Sequence, residues 1–196
     1  MKCRWLEITD ELVDCLVEFI GDRRVLEVFA GWGDLGVALS QRGIHVKSTS
    51  VYMSSYDGSA SQMPEYVESL DAVSACIKYR DDYDVLLAAW PIADDTLLHC
   101  ALEWNKPIIC IGELWREHPL NVHANYSGTA SDAYFENVID IAPPKRVLRN
   151  IHAAVMFHEL KEELVPGFRP YLLMTGLGDS RALFKLYSER VVKTTM

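Results

Sequence analysis

Apolar residues recur along this chain at two spacings, and the alternation between them predicts the architecture. In "ITDELVDCLVEFIGD", Leu12, Cys15, Leu16, Phe19 and Ile20 fall on one helical face behind Thr9 as an N-cap, with acids in the first turn and Gly21 as the stop. "RVLEVFA" then reads as a short strand, "DLGVALSQR" as a helix ended by Gly43, and "IHVKSTSV" as a second strand rich in β-branched residues. From Pro64 to Lys78 the positions Tyr66, Val67, Leu70, Val73 and Ile77 keep helical spacing, which predicts a helix begun by Pro64. "DVLLAAW" and "PIICIG" are apolar throughout, as strands buried on both faces are, and "DDTLLHCALEW" between them reads as a helix.

Strands alternating with helices imply crossover connections and a mostly parallel sheet with helices on both faces, an α/β fold. The tail differs. "RPYLLMTG" and "RALFKLYSE", joined by "LGDS", predict a C-terminal antiparallel hairpin at the end of the sheet. In between, "AYFENVIDI" fits a helix followed by a strand, and "NIHAAVMFHELKEEL" fits a helix. No linker or internal repeat divides the 196 residues, so one domain over 1–196 is expected.

The charge balance, 19 Lys and Arg against 28 Asp and Glu for a net charge of −9, argues against a duplex nucleic-acid binder, whose affinity rests on basic residues displacing counterions. Apolar runs stop well short of a membrane span, and "MKCRWLEITD" has no signal-peptide core. The five cysteines stand singly, without metal-site pairing, as free thiols do in a reducing compartment. A cytoplasmic protein with no metal site and no membrane partner is expected.

The candidate chemistry lies in "RVLEVFAGWGDLGVAL". Gly31, Gly33 and Gly36 satisfy Gly-x-Gly-x-x-Gly, a pattern that makes a tight turn, lets a ligand approach bare backbone, and aims a helix N-terminus at it. A nicotinamide-binding loop carries its acid about twenty residues after the glycines; here the next acid is Asp57, and the carboxylate, Glu27, comes before them. Burying Glu27 without partners costs several kcal/mol, so it must bond the loop amides or a ligand.

An acid, then glycines at this spacing, resembles motif I of the class I S-adenosylmethionine-dependent methyltransferases, a Rossmann-like superfamily that writes it acid-x-Gly-x-Gly-x-Gly. Glu27, Gly31 and Gly33 match and Phe29 stands at the first glycine, as in the DNA cytosine methyltransferases, although no Pro-Cys nucleophile follows. The resemblance implies S-adenosylmethionine as cofactor, held by Glu27, Phe29, Ala30, Gly31, Trp32 and Gly33. The acid that the family carries after its second strand is missing, which leaves its role to Tyr52, Tyr56 or Asp57.

The stretch "AWPIA" closes the apolar strand "DVLLAAW" and so faces the same crevice as the glycine loop. Methyltransferases that act on amines place a polar residue, two prolines and an aromatic there. Pro91 matches the first proline, while Trp90, Ile92 and Ala93 occupy the other three places. The resemblance implies that Trp90 and Pro91 border the transferred methyl, with an amine on a small molecule or protein as acceptor. Asp94 and Asp95 read as the cap of the next helix. The alternatives are a non-catalytic module on the same fold, serving as ligand sensor or partner-binding subunit, and a nicotinamide-dependent reductase.

Other residues read as structural. His118, His123, His152 and His158 make no metal pattern, and Ser180 in "GLGDSRAL" lies in a hairpin loop rather than a nucleophile turn. Trp115 and Tyr126 read as surface aromatics, and "SGTASDAYF" vaguely resembles a stretch in small uncharacterised methyltransferase-like proteins.

Overall fold

A computed structural model of the chain describes residues 6–51, 64–113, 129–148 and 153–162. Contacts divide the chain into two units, Met1–Leu164 and Val165–Met196, and every described residue belongs to the first. Helix α1 (Asp10–Ile20) starts where Thr9 accepts the Leu12 amide at 3.2 Å and ends at Gly21. Strand β1 (Val25–Val28) leads through the glycine loop into α2 (Asp34–Gln41), and β2 (Val46–Ser50) follows. Next come β3 (Val67–Ser69), α3 (Ala72–Tyr79), β4 (Val85–Ala89), α4 (Thr96–Trp104) and β5 (Ile108–Glu113). Helix α5 (Asp132–Asn137) and strands β6 (Val138–Lys145) and β7 (Ala153–Leu160) complete the described residues.

These strands form one seven-stranded sheet in the order β3-β2-β1-β4-β5-β7-β6, parallel from β3 to β5 and antiparallel through β7 and β6. Alternation along each strand splits the core in two. Leu26, Val28, Leu86, Ala88, Ile108 and Cys110 pack with α3, α4 and α5; Val25, Val85, Leu87, Ile109 and Ile111 pack with α1 and α2. Each fully buried leucine in these layers contributes about 1.5–3 kcal/mol. No described helix is long and apolar enough to cross a membrane.

Two expectations are corrected. Residues 64–78 are not one helix: the Pro64 carbonyl accepts the Val67 amide at 2.9 Å in a turn, β3 pairs with β2, and the Asp71 carboxylate then caps α3 through the Ser74 amide at 2.9 Å. The helix buries Ala72, Ala75 and Cys76, while Tyr66 and Ile77 are exposed. Tertiary pairing at the sheet edge overrides the apolar spacing.

Residues 153–160, expected in a helix, form β7, inserted between β5 and β6 with Ala153 to His158 all buried. An apolar run of that length suits a helix or a doubly covered strand equally, and the vacant edge of β5 decides it. The "AYFENVIDI" stretch is helix then strand, as expected. The antiparallel pair at the sheet end is β6 and β7; the segments expected to form it, within 168–190, lie outside the described residues.

Candidate functional site

Parallel strands β1 and β4 are neighbours with Val28 beside Ala88, so the loops that leave their carboxyl ends meet in one crevice. The loop after β1 turns through three left-handed residues: Phe29 at φ 56°, Gly31 at φ 55° and Gly33 at φ 72°. Two bonds hold it, from the Ala30 amide to the Thr49 carbonyl at 3.1 Å and from the Gly33 amide to the Ala30 carbonyl at 2.8 Å. Gly33 then serves as the N-cap of α2. The glycines differ in what surrounds them. A Cβ on Gly31 would meet open space, whereas one on Gly33 would stand 2.9 Å from the Tyr66 ring and 2.6 Å from Val67.

Glu27 is 1% exposed. It lies opposite Ser48 in the β1–β2 register, and the Ser48 hydroxyl donates to Oε2 at 2.6 Å. The Gly36 amide, in the first turns of α2, also donates to the carboxylate. The buried acid is thus bonded to the glycine segment, as its burial requires. Burial raises its pKa to about 7 against the lowering effect of both bonds, and Asp34 raises it further. A Cβ on Gly36 would overlap Ser48 Oγ and stand 2.6 Å from Glu27 Oε2, so only glycine lets α2 come this close.

At the end of β4, Trp90 is also left-handed, at φ 53°, with its amide bonded to the Ile111 carbonyl at 2.7 Å. The two left-handed aromatics share a consequence. Continued alternation would send Phe29 to the side of α1 and α2 with Glu27, yet it packs with the α3–α4 layer; Trp90 is exchanged the opposite way. Each costs about 1 kcal/mol or more of backbone strain; Asn105 and Ala130 are left-handed as well, at φ 47° and 53°. Pro91 is buried and Ile92 is exposed. Asp94 accepts the Thr96 amide at 2.9 Å and so acts as a cap for α4.

Thus Glu27, Phe29, Ala30, Gly31, Trp32 and Gly33 are brought together on β1 and its loop, beside Trp90 and Pro91. Tyr52, Asp57 and the alternative Tyr56 lie outside the described residues, as do Trp115, Tyr126, His118, His123, His152 and Ser180. His158 is a core histidine: Nδ1 is 2.9 Å from the Tyr134 hydroxyl and Nε2 is 3.2 Å from Asp140. Among the described residues no group of three His, Cys, Asp or Glu could hold a metal.

The Gly36 bond meets the expectation that Glu27 bonds an amide of the glycine segment, whereas sequence reasoning missed Ser48 as its partner. It also missed the pair Gly112 and Thr129 at the end of β5, where the Glu113 amide donates to Thr129 Oγ1 at 3.0 Å and a Cβ on Gly112 would collide with Thr129. Only the glycines carried a local signal.

No family model matches the sequence, and no curated protein does. Solved structures do. TehB from Haemophilus influenzae is 13% identical with a TM-score of 0.48, over 78% of this chain and 63% of its own, so the chain spans less than two thirds of that protein. Magnesium protoporphyrin IX methyltransferase (ChlM) from Synechocystis PCC 6803, with bound SAH, is 11% identical with a TM-score of 0.46, over 77% of this chain and 83% of its own. A protein in the NADB-Rossmann superfamily from Streptococcus agalactiae is 11% identical with a TM-score of 0.47, over 81% and 71%. By its own strand order and pairing, the chain has a Rossmann-like α/β fold, with a mostly parallel sheet and an antiparallel pair at one end.

Proposed function

We propose that this chain is a cytoplasmic S-adenosylmethionine-dependent methyltransferase acting on an amine. The observation that carries the reading is the left-handed turn at Gly31, with open space where a side chain would be, between the end of β1 and the N-terminus of α2. A nucleotide-derived ligand fits such a turn, because it approaches bare backbone and meets unpaired helix amides. The buried acid Glu27, on β1 before the glycines, favours S-adenosylmethionine over a nicotinamide, whose loop follows a strand without one.

When bound, the cofactor supplies an electrophilic sulfonium methyl. The chain's part is positioning and desolvation: Glu27 fixes the approach of α2 to β1, Gly31 leaves room, and the Trp90 loop borders the acceptor. An amine acceptor is supported by charge. Described residues from the ends of β1, β4 and β5 to the first turn of the following helix include Asp34, Asp94, Asp95, Glu113 and Asp132, and no Lys or Arg. Such a mouth concentrates cations. The free thiols of Cys15, Cys76, Cys100 and Cys110 support a reducing, cytoplasmic setting.

The second reading, a non-catalytic module, is favoured by Trp90 and Ile92, which leave the β4 loop without a carboxamide to hold an amine. Incubation of the purified chain with radiolabelled methyl donor and whole-cell extract, fractionated into protein, RNA and small molecules, decides between them. Label in a fraction containing amines is expected; silence in all fractions, beside demonstrated cofactor binding, leaves the module.

A further inference from the structure

Glu27 is a buried carboxyl whose described partners carry no positive charge. It is 1% exposed, and the groups bonded to it, the Ser48 hydroxyl at 2.6 Å and the Gly36 amide, are neutral donors. The charged group that acts on it is Asp34, in the first turn of α2, which has the same sign. Strand β4 places Leu87 beside it. The cations of the flanking elements are engaged elsewhere: Lys47 of β2 pairs with Glu68, and Arg42 after α2 pairs with Asp10 and Asp14 of α1. A carboxyl so placed keeps its proton into the neutral range, because burial disfavours the charged form more than two neutral donors restore it.

That proton is coupled to the charge held at the glycine turn. Gly31 follows Glu27 by four residues, at most about 13 Å along an extended chain. The Gly36 amide also links the carboxyl to α2, whose N-terminus the turn leads into. Over such a distance in a protein interior, one unit of positive charge favours an ionised carboxylate by about tenfold. The two cofactor forms of a methyltransferase differ by that unit: S-adenosylmethionine carries a sulfonium cation, and its demethylated product a neutral thioether.

We infer that Glu27 distinguishes the sulfonium cofactor from its thioether product: it gives up its proton to solvent when the cofactor is bound and keeps it when the product is bound, so the preference for cofactor over product rises with pH across the neutral range. The inference rests on the methyltransferase reading of the turn. Coupling is reciprocal, so the factor by which bound cofactor favours ionised Glu27 is the factor by which ionised Glu27 favours cofactor. Glu27 acts here through its charge, as a specificity-determining residue and not as a catalytic one.

Calorimetric titration of the full chain with S-adenosylmethionine and with S-adenosylhomocysteine, in pairs of buffers that differ in ionisation enthalpy, counts the protons released by each. The cofactor is expected to release about half a proton more than the product near pH 6.5, and the ratio of their affinities to rise about five- to tenfold between roughly pH 5.5 and 7.5. In Glu27→Gln the ratio should lose this rise; each ligand's own titration is common to both chains and cancels in the comparison. Ser48→Ala removes a donor that holds the carboxyl down, so in that variant the rise should move to higher pH. This second variant decides the matter if Glu27→Gln does not fold. Equal proton counts for the two ligands, a rise kept in Glu27→Gln, or a rise that Ser48→Ala leaves at the wild-type pH overturns the inference while the methyltransferase reading stands. Failure of both ligands to bind at every pH overturns that reading, and the inference with it.

Discussion

Glu27 and Ser48 face each other across the parallel β1–β2 pair, with the Ser48 hydroxyl 2.6 Å from a carboxylate that has almost no contact with water. This bond ties β1 to β2, and the one from the Gly36 amide ties the end of β1 to α2, the two elements that frame the glycine turn.

The buried acid makes stability depend on pH in a defined direction. Its carboxyl rises from an ordinary value of 4.5 to about 7 in the fold, so between these values the folded chain binds the additional proton. This contribution is fully present below pH 4.5 and lost as pH rises through 7, about 3 kcal/mol in all. Urea midpoints of wild type and Glu27→Gln should therefore diverge across this window, with wild type losing relative stability as pH rises. Parallel pH profiles would contradict the buried, bonded carboxyl.

Gly36→Ala should cost more than about 2 kcal/mol, because the added methyl collides with Ser48 Oγ and Glu27 Oε2. Gly43→Ala is the comparison: its φ of 87° disfavours a side chain, but nothing lies within 4 Å, so a cost of about 1 kcal/mol is expected. Ser48→Gly should recover part of the Gly36→Ala loss, measured as coupling in a double-mutant cycle of urea midpoints. Additive losses would mean that the two sites do not meet.

The bond between Tyr134 and His158 should matter to the fold and not to the crevice. Burial holds the Tyr134 phenol well above its ordinary range, and its hydroxyl is hydrogen-bonded to His158 Nδ1 at 2.9 Å. Tyr134→Phe strands a buried ring nitrogen, for a loss of about 1–3 kcal/mol. Tyr83→Phe, whose hydroxyl is 3.4 Å from exposed His45, should cost less than about 0.5 kcal/mol. Equal losses in chemical denaturation would remove the distinction.

Duplex DNA should produce no mobility shift at physiological salt, since Asp and Glu outnumber Lys and Arg by 28 to 19. Submicromolar binding that weakens steeply with added salt would reverse this and make a nucleic acid the acceptor to pursue.

What the sequence disclosed was local. An acid inside an apolar run followed by glycines announced a strand, a turn and a helix N-terminus, and all three are present at Val25–Val28, Gly31 and Asp34–Gln41. The partner of Glu27 was hidden because Ser48 is 21 residues away and is delivered by parallel register, which no local pattern encodes. The same cause conceals β3, whose three residues are strand only because β2 offers an edge, and β7, whose apolar run suits two structures until β5 selects one. The left-handed conformations of Phe29 and Trp90 were also illegible, since bulky residues are poor indicators of positive φ.

Everything proposed for the crevice depends on the turn at Gly31 holding S-adenosylmethionine. Calorimetric titration of the wild-type chain with S-adenosylhomocysteine and with NADH, repeated on Gly31→Val, examines that dependence without an acceptor. Saturable one-site binding of S-adenosylhomocysteine is expected, with none of NADH, and loss of binding in Gly31→Val while the thermal unfolding of that variant stays cooperative. Binding of NADH in place of S-adenosylhomocysteine, or undiminished S-adenosylhomocysteine affinity in Gly31→Val, would contradict it.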